Sequence, residues 1–320
     1  MPQPTRSDVH VNRPLTNYSL AYLQDQSTFV SRQAFPPLPV QSKSDSYFTY
    51  DKKQWFRTDA QKRAPGTESA GSGYTLGTDT YSCEVRAVHK DVDDQVRANA
   101  DSALSVDREA TEFVTRDLML EAEKDWASTY FTTSTWTGST TGGDITPGTL
   151  WSAANSTPFE DIRAQVRSVH KKTGFKPNLM IMGPEVWDVL ADHPDALERV
   201  KYTREGAIDT SLFARALRLD RVLVAEAIED TAVEGAADSL DFVFGKNALL
   251  AYAAPRPGLM TPSAGYTFTW SGYMGANASG MRMSRFRMEH LKSDRVEGEA
   301  AYDHKLVAAE LGAFFSAVVA

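Results

Sequence analysis

TDTYSCEVRAVHKDVDDQVRANADSALSVDREATEFVTRDLMLEAEKDWASTYFTTSTWT, Thr78 to Thr137, runs for sixty residues without a glycine or a proline. The rest of the chain holds all 20 glycines and all 15 prolines, so the gap is a local feature. It opens on Tyr81, Cys83, Val85 and Ala87, the period-two pattern of a strand. From about Val92 to Phe131 the apolar positions recur at helical spacing: Val92, Val96, Ala100, Leu104, then Ala110, Phe113, Val114, Leu118, Ala122, Trp126 and Tyr130. Asp91, Asp93 and Asp94 put negative charge where a helix dipole favours it. At about 1.5 Å per residue such a helix is roughly 60 Å long. The stripe is not a clean heptad, so the helix is expected to lie across a sheet and not in a coiled coil. A rod of this length suits a protein that spans distance and touches many neighbours.

Outward from the gap, residues 46–90 read as a long hairpin. Its first strand runs from Tyr47 to Arg57. Its turn lies between Ala64-Pro65-Gly66 and Gly71-Ser72-Gly73, and its return strand runs from Tyr81 to Val88. A two-stranded hairpin is marginal alone and needs a surface to lie on. Residues 1–45 are rich in proline and polar residues, with short apolar anchors at Tyr18 to Leu23 and at Phe29-Val30, and read as an arm that docks on its own body or on a partner. Beyond the gap, Thr132 to Gly143 is a loop. A helix follows from Thr157 (N-cap) and Pro158 to Thr173-Gly174. From Lys176 strands and helices alternate. Asn178–Gly183 is a buried strand, and Pro184 starts a helix that Pro194 stops. Thr210 or Ser211 starts another, through Leu219, and strands follow at Arg221–Val224, Asp241–Phe244, Ala248–Tyr252 and Tyr266–Trp270. The tail from Arg282 to Val319 carries further sheet-compatible segments.

Composition bounds the function. The chain has 320 residues, 42% hydrophobic and 24% charged, ordinary for a folded protein with one or two cores. No apolar run has the length of a membrane helix, and the polar start has no signal-peptide core. The net charge of −8 is uneven, +3 over residues 1–90 and −11 over the remainder, which argues against a dedicated nucleic-acid binder. The single cysteine, Cys83, excludes an intrachain disulfide and a cysteine-based zinc site, and its place in an alternating strand predicts a packed core thiol.

The search for chemistry finds little. Gly71-Ser72-Gly73-Tyr74-Thr75-Leu76-Gly77 is one residue too long for a dinucleotide loop and leads into a strand, where no helix N-terminus meets the phosphates. The six histidines are dispersed. Asp192-His193-Pro194-Asp195 is the one local His/carboxylate cluster; it reads as a helix end with a proline stop more readily than as a general base. Glu121, Glu123 and Asp125 read as a solvated acidic surface, with Glu123 pointing away from the other two. Lys52, Lys53 and Lys62 are candidate cross-linking amines or, more simply, edge lysines that block aggregation. Trp55-Phe56 on the hairpin is a candidate subunit contact, with folding back onto the parent body equally open. The sequence assigns no catalytic, cofactor-binding or metal residue.

Arm, hairpin, long helix and α/β lobe, in that order, resemble the major capsid proteins of tailed bacteriophages, with the Hong Kong 97-type fold. The resemblance is carried most specifically by Met182-Gly183-Pro184-Glu185-Val186-Trp187, His193-Pro194-Asp195, Arg199–Thr203, Asp220–Val224, Gly245–Tyr252, Pro255-Arg256-Pro257-Gly258 and Thr261–Trp270. It implies an α+β fold with an N-arm (1–45), an extended loop or E-loop hairpin (46–90) and a P-domain with the spine helix (91–175). An α/β A-domain (176–290) follows, then C-terminal strands (291–320) returning to the junction of the two domains. It further implies a structural protein without catalysis. Such a protein forms hexameric and pentameric capsomers of an icosahedral or prolate shell around double-stranded DNA, in a virion assembled in the host cytoplasm. Partners would be a portal protein, a separate scaffolding protein or none, and a decoration or cement protein, with non-specific contact to DNA and none to membrane. Because the hairpin starts near residue 46, a long N-terminal scaffolding region of the kind found in the family is not expected. Two alternatives stay open: an encapsulin-type nanocompartment subunit, and a soluble α/β enzyme with an oligomerisation arm.

Overall fold

The computed structural model describes residues 28–50, 52–100, 105–200, 209–233, 235–258, 260–274 and 280–320. The first elements are one helical turn, α1 (Ser31–Ala34), and strand β1 (Pro37–Val40). The hairpin follows as β2 (Ser44–Tyr50), a short turn α2 (Lys52–Trp55) and β3 (Leu76–Ser82). Then come β4 (Glu84–Asp93), α3 (Asp94–Asn99) and the spine helix α4 (Val106–Tyr130). The α/β lobe holds α5 (Pro158–Thr173), β5 (Leu179–Met182), α6 (Pro184–Ala191), α7 (Pro194–Val200), α8 (Thr210–Leu217) and β6 (Arg221–Val224). After it run β7 (Ile228–Asp230), β8 (Leu240–Phe242), β9 (Ala248–Ala251), β10 (Gly265–Trp270) and α9 (Ser271–Met274). The chain closes with β11 (Met281–Met288), β12 (Ser293–Leu306) and β13 (Gly312–Phe315).

A five-stranded sheet lies under the spine helix. Strand β12 is its centre: it pairs with β4 over ten positions, Ser293↔Asp93 to Tyr302↔Glu84, and with β11 and β10. The even-numbered residues of β12 face α4. There Val114, Leu118 and Ala122 pack on Ala300 and Tyr302, and Ala110 and Val92 pack on Val296. Gly298 lies on this face because a Cβ there would collide with Val114 and Leu118, so the glycine sets how closely helix and sheet approach. Strand β1 adds a parallel edge on β10.

The second sheet, β13-β9-β5-β6, is buried on both faces, and Leu179-Met180-Ile181-Met182 therefore reads as a continuous apolar run. Met180, Met182, Leu250 and Phe315 meet Phe159, Ile162 and Phe213 of α5 and α8. Leu179, Ile181, Leu249 and Phe314 face the opposite way, into a cluster with Phe35, Trp126, Phe131 and Trp136. The end of the spine helix is thus part of the lobe's core.

Several sequence-based boundaries change. The helix expected from Val92 to Phe131 is two helices. Asp93 ends β4 and caps α3, its carboxylate accepting the Gln95 N–H at 2.6 Å; Ala100 then turns extended (ψ 136°), and α4 starts afresh at Val106. At 25 residues α4 is about 37 Å long, not 60. The expected return strand Tyr81–Val88 divides at Cys83, whose N–H donates to Lys43 O. Before it β3 pairs with β2; after it β4 pairs with β12. The first hairpin strand stops at Tyr50, short of Arg57. Pro194 does not only stop α6: it opens α7 at the position where a missing N–H costs nothing. Strands β10 and β11, within the 176–290 stretch assigned to the lobe, belong to the spine-helix sheet, because β12 supplies their partners. The part of the 1–45 arm from Thr28 onward docks on its own body, with Val30, Ala34 and Phe35 fully buried. The anchor expected at Tyr18 to Leu23 lies outside the described residues.

His304 of β12 sits between sheet and helix. Its Nε2–H donates to Ala122 O (3.2 Å), so Nδ1 is the acceptor facing the Thr267 hydroxyl 2.9 Å away. Burial, with Arg86 and Arg32 nearby, pushes its pKa down to about 4 from 6.5. The folded state then binds fewer protons than the unfolded state between these values, and stability falls as pH drops through that window. Urea titration should show about 3 kcal/mol lost between pH 7 and pH 4, the equivalent of that shift, with a smaller loss in His304→Gln. An equal loss in both would place the acid sensitivity elsewhere.

Candidate assembly surfaces

The hairpin is the one long protrusion among the described residues. Its register runs from Ser44↔Ser82 to Tyr50↔Leu76, and residues 56–75 beyond it carry no strand or helix. Its root is fixed on the body: Tyr81 stacks on Phe268 at 4.5 Å, and the Tyr47 ring lies 5.5 Å from Phe268. The Tyr47 hydroxyl donates to Asp79 Oδ2 at 2.9 Å, and burial followed by this bond raises the phenol pKa. Cys83 is fully buried at the same root, and burial pushes its thiol up to about 12. It is a packed core thiol, as the alternating strand predicted.

Farther out, Tyr50, Trp55 and Tyr74 form a three-ring cluster with centroids 5.7 to 6.3 Å apart. Phe48, Trp55, Phe56 and Tyr74 stay exposed, Phe56 to 64%. Two contacts hold this region toward its own subunit: Lys52 pairs with Glu310, and the Phe56 ring lies against Gly174. Gly174 ends α5 at φ 79°, a left-handed conformation that suits glycine, and a Cβ there would also strike Phe56. An exposed aromatic cluster on a protruding arm has the composition of a protein interface.

Two polar devices brace the body behind the hairpin. Glu123, read from the sequence as solvated, is fully buried. Its two carboxylate oxygens accept the Val30 and Ser31 N–H groups at 2.7 and 2.9 Å, capping α1 from the spine helix. Burial raises its pKa although both bonds oppose the shift. Glu121 and Asp125 reach Arg86 of β4, at 3.8 and 2.9 Å. The second device closes the α3–α4 joint. Arg97 contacts Asp94, Asp107 and Asp294; Arg285 contacts Asp107 and Asp294; Arg287 contacts Asp94 and Asp294. The Arg285 hydrogen bond, then those of Arg97 and Arg287, hold Asp294 down at about 2. This contribution is complete above the ordinary carboxylate range and is lost only as pH falls through about 2.

His193 is buried with Nε2 3.0 Å from Ser156 Oγ. However, its Nδ1 accepts the Asp195 N–H, so Nε2 carries the proton and donates to Ala153 O and Ser156. A ring in that tautomer cannot take the serine proton. The residues Gly71 to Gly77 are exposed loop and strand with no helix N-terminus. Lys62 is exposed, and Lys52 is engaged with Glu310. Among the described residues no three His, Cys, Asp or Glu side chains gather as a metal site, and no helix is long and apolar enough to cross a membrane.

Comparison with known proteins places this geometry. A structure of a phage-related protein from Bordetella bronchiseptica RB50 superposes over 96% of this chain and 97% of its own, with a TM-score of 0.68 at 20% identity. The mature capsid of bacteriophage PhiM1 superposes over 93% and 89%, at 0.59 and 11%. The chain has the Hong Kong 97-type capsid fold. The family described as phage major capsid protein E matches residues 136–261, which contain most of the motifs that carried the resemblance. The major capsid protein of Burkholderia phage BcepMu is 23% identical over 271 residues, covering 82% of this chain and 84% of that protein.

Glu123 is the test of the body's bracing. Glu123→Ala leaves two buried N–H groups without an acceptor and should cost at least about 2 kcal/mol in urea unfolding, with Glu123→Gln, which keeps one acceptor oxygen, costing less. Unchanged midpoints in both would mean that the cap does not hold α1.

Proposed function

We propose that this chain is the shell-forming subunit, the major capsid protein, of a tailed-phage head, and that its role is structural and not catalytic. The observation that carries the reading is the pairing of a rigid two-sheet body with an exposed aromatic hairpin, in a fold shared with assembled phage capsids. The hairpin is the N-terminal neighbour of the spine helix and acts as the E-loop, reaching over an adjacent subunit. The α/β lobe from Lys176 acts as the axial domain, pointing to the capsomer centre. One sequence must close both pentamers and hexamers, which suits contacts carried by an adjustable arm on a stiff body. Packaged double-stranded DNA meets the shell through non-specific contacts. A portal and separate scaffolding and decoration proteins complete a virion assembled in the host cytoplasm. The match to a phage capsid family supports this reading over a nanocompartment, and nucleic acid recovered inside purified particles distinguishes the two.

Deletion of Ala64–Gly73 removes exposed loop and no packed element. The expected result is soluble, folded protein by circular dichroism with no closed shells by sedimentation and negative-stain microscopy. Regular shells from the deleted chain would remove the hairpin from the assembly mechanism.

A further inference from the structure

The chain carries a second exposed hairpin, whose chemistry is the opposite of the first. Strands β7 and β8 pair as Ile228↔Phe242, Glu229↔Asp241 and Asp230↔Leu240. Alternation puts Ile228, Asp230, Leu240 and Phe242 on one face and Glu229 and Asp241 on the other. Glu229 meets Lys124 of the spine helix at 2.7 Å, so its face is the inward one. Apart from Asp230 the outward face is apolar, and much of it is uncovered: Leu240 is 69% exposed, Phe242 is exposed, Ile228 is half-buried, and Val233 near the tip is 78% exposed. Glu226 and Asp238, which precede the two strands in sequence, are exposed. Between Val222 and Gly245 the sequence holds six carboxylates and no lysine or arginine. A two-stranded ribbon with a bare apolar face is poorly stable in water and is completed by a partner.

The partner's chemistry is written in the same chain. Between Lys52 and Arg63 there are five lysines and arginines against one carboxylate, Asp59, beside the exposed Trp55 and Phe56. One protrusion is acidic and apolar, the other basic and aromatic. Resting on the shell reading above, we propose that the outward face of β7–β8 receives the basic aromatic tip of the β2–β3 hairpin from a second copy of this chain. The contact is heterologous, two different patches on each subunit, and such contacts propagate head to tail into rings. Burial of Trp55 and Phe56 against Leu240 and Phe242 supplies affinity, and the charge pairing sets register and approach rate. The charged part is exposed and is screened beyond about 8 Å at physiological ionic strength, so shell yield should fall as salt rises.

Charge reversal and its rescue test the pairing. K62E/R63E and E226K/D238K each alter exposed side chains, and Arg57, which pairs with Asp59 of its own hairpin at 2.7 Å, is left in place. Each set alone is expected to lower shell yield at least about tenfold, by juxtaposing like charges. The four changes together are expected to restore the wild-type yield, read by sedimentation velocity and particle counts on protein checked by circular dichroism. Failure of the combined chain to recover, or wild-type assembly by E226K/D238K, overturns the contact while leaving the shell reading intact. Should a reversed chain not fold, K62Q/R63Q and E226Q/D238N replace it, each expected to flatten the salt dependence; an unchanged salt dependence overturns the contact. A wild-type chain that never exceeds a dimer overturns the shell reading and this contact with it.

Discussion

The aromatic seam where the spine helix ends is the contact on which the rest of the molecule depends. Trp126 and Phe131 leave the five-stranded sheet behind and enter the core of the four-stranded one, against Phe244 and Phe314. Phe35, from the first described turn, packs edge-on to Trp126 at 5.6 Å and against Tyr130 at 4.9 Å. One cluster therefore ties three distant parts of the chain: the start, the spine and the lobe. Burying several large aromatics together contributes the strongest packing terms available to a protein, about 3–5 kcal/mol each on truncation. Without the seam the two sheets would be separate small cores with no fixed angle between them.

Rigidity at the seam gives the hairpin its meaning. The hairpin root is stacked on Phe268 of the five-stranded sheet, while its distal residues show their rings to solvent. An arm with a stiff root and an exposed aromatic end, resting on its own body through Lys52–Glu310 and Phe56 against Gly174, holds direction while leaving ring surface uncovered. That combination suits a subunit that meets neighbours at more than one angle. The bracing groups behind it, the Glu123 cap and the Arg97–Asp294 network, lie where the chain changes direction, and their charges are satisfied within the body. Glu226 and Asp238 beside β7–β8 and Lys62 on the hairpin are exposed at the surface.

Much of this was legible in the sequence wherever local chemistry decides structure. Leu179–Met182 read as a buried strand because no polar residue interrupts it, and α5 was bracketed by Pro158 and Gly174. The order of hairpin, helix and lobe was visible in apolar spacing together with glycine and proline placement. What local pattern could not show was pairing. Tyr81 to Val88 is one alternating stretch, yet its halves join different sheets, because the partner of its second half lies some two hundred residues away in β12. The same long-range partner draws β10 and β11 out of the lobe's sheet. The helix break near Ala100 has no glycine or proline to announce it; the capping Asp93 was read only as favourable charge. Glu123 was invisible as a buried cap because its ligands, Val30 and Ser31 N–H, are ninety residues distant. For the assembly surface, the aromatic hairpin was legible, while the apolar face of β7–β8 needed the strand register.

The central claim is that this body builds a shell by passing its hairpin to a neighbour. Cryo-electron microscopy of the purified, assembled particle tests it most directly. The account predicts a closed shell of five- and six-fold capsomers in which residues 44–82 of each subunit lie over the adjacent copy. A small closed oligomer, or a shell in which the hairpin stays on its own subunit with Phe56 against Gly174 and no neighbour touching it, would contradict the account.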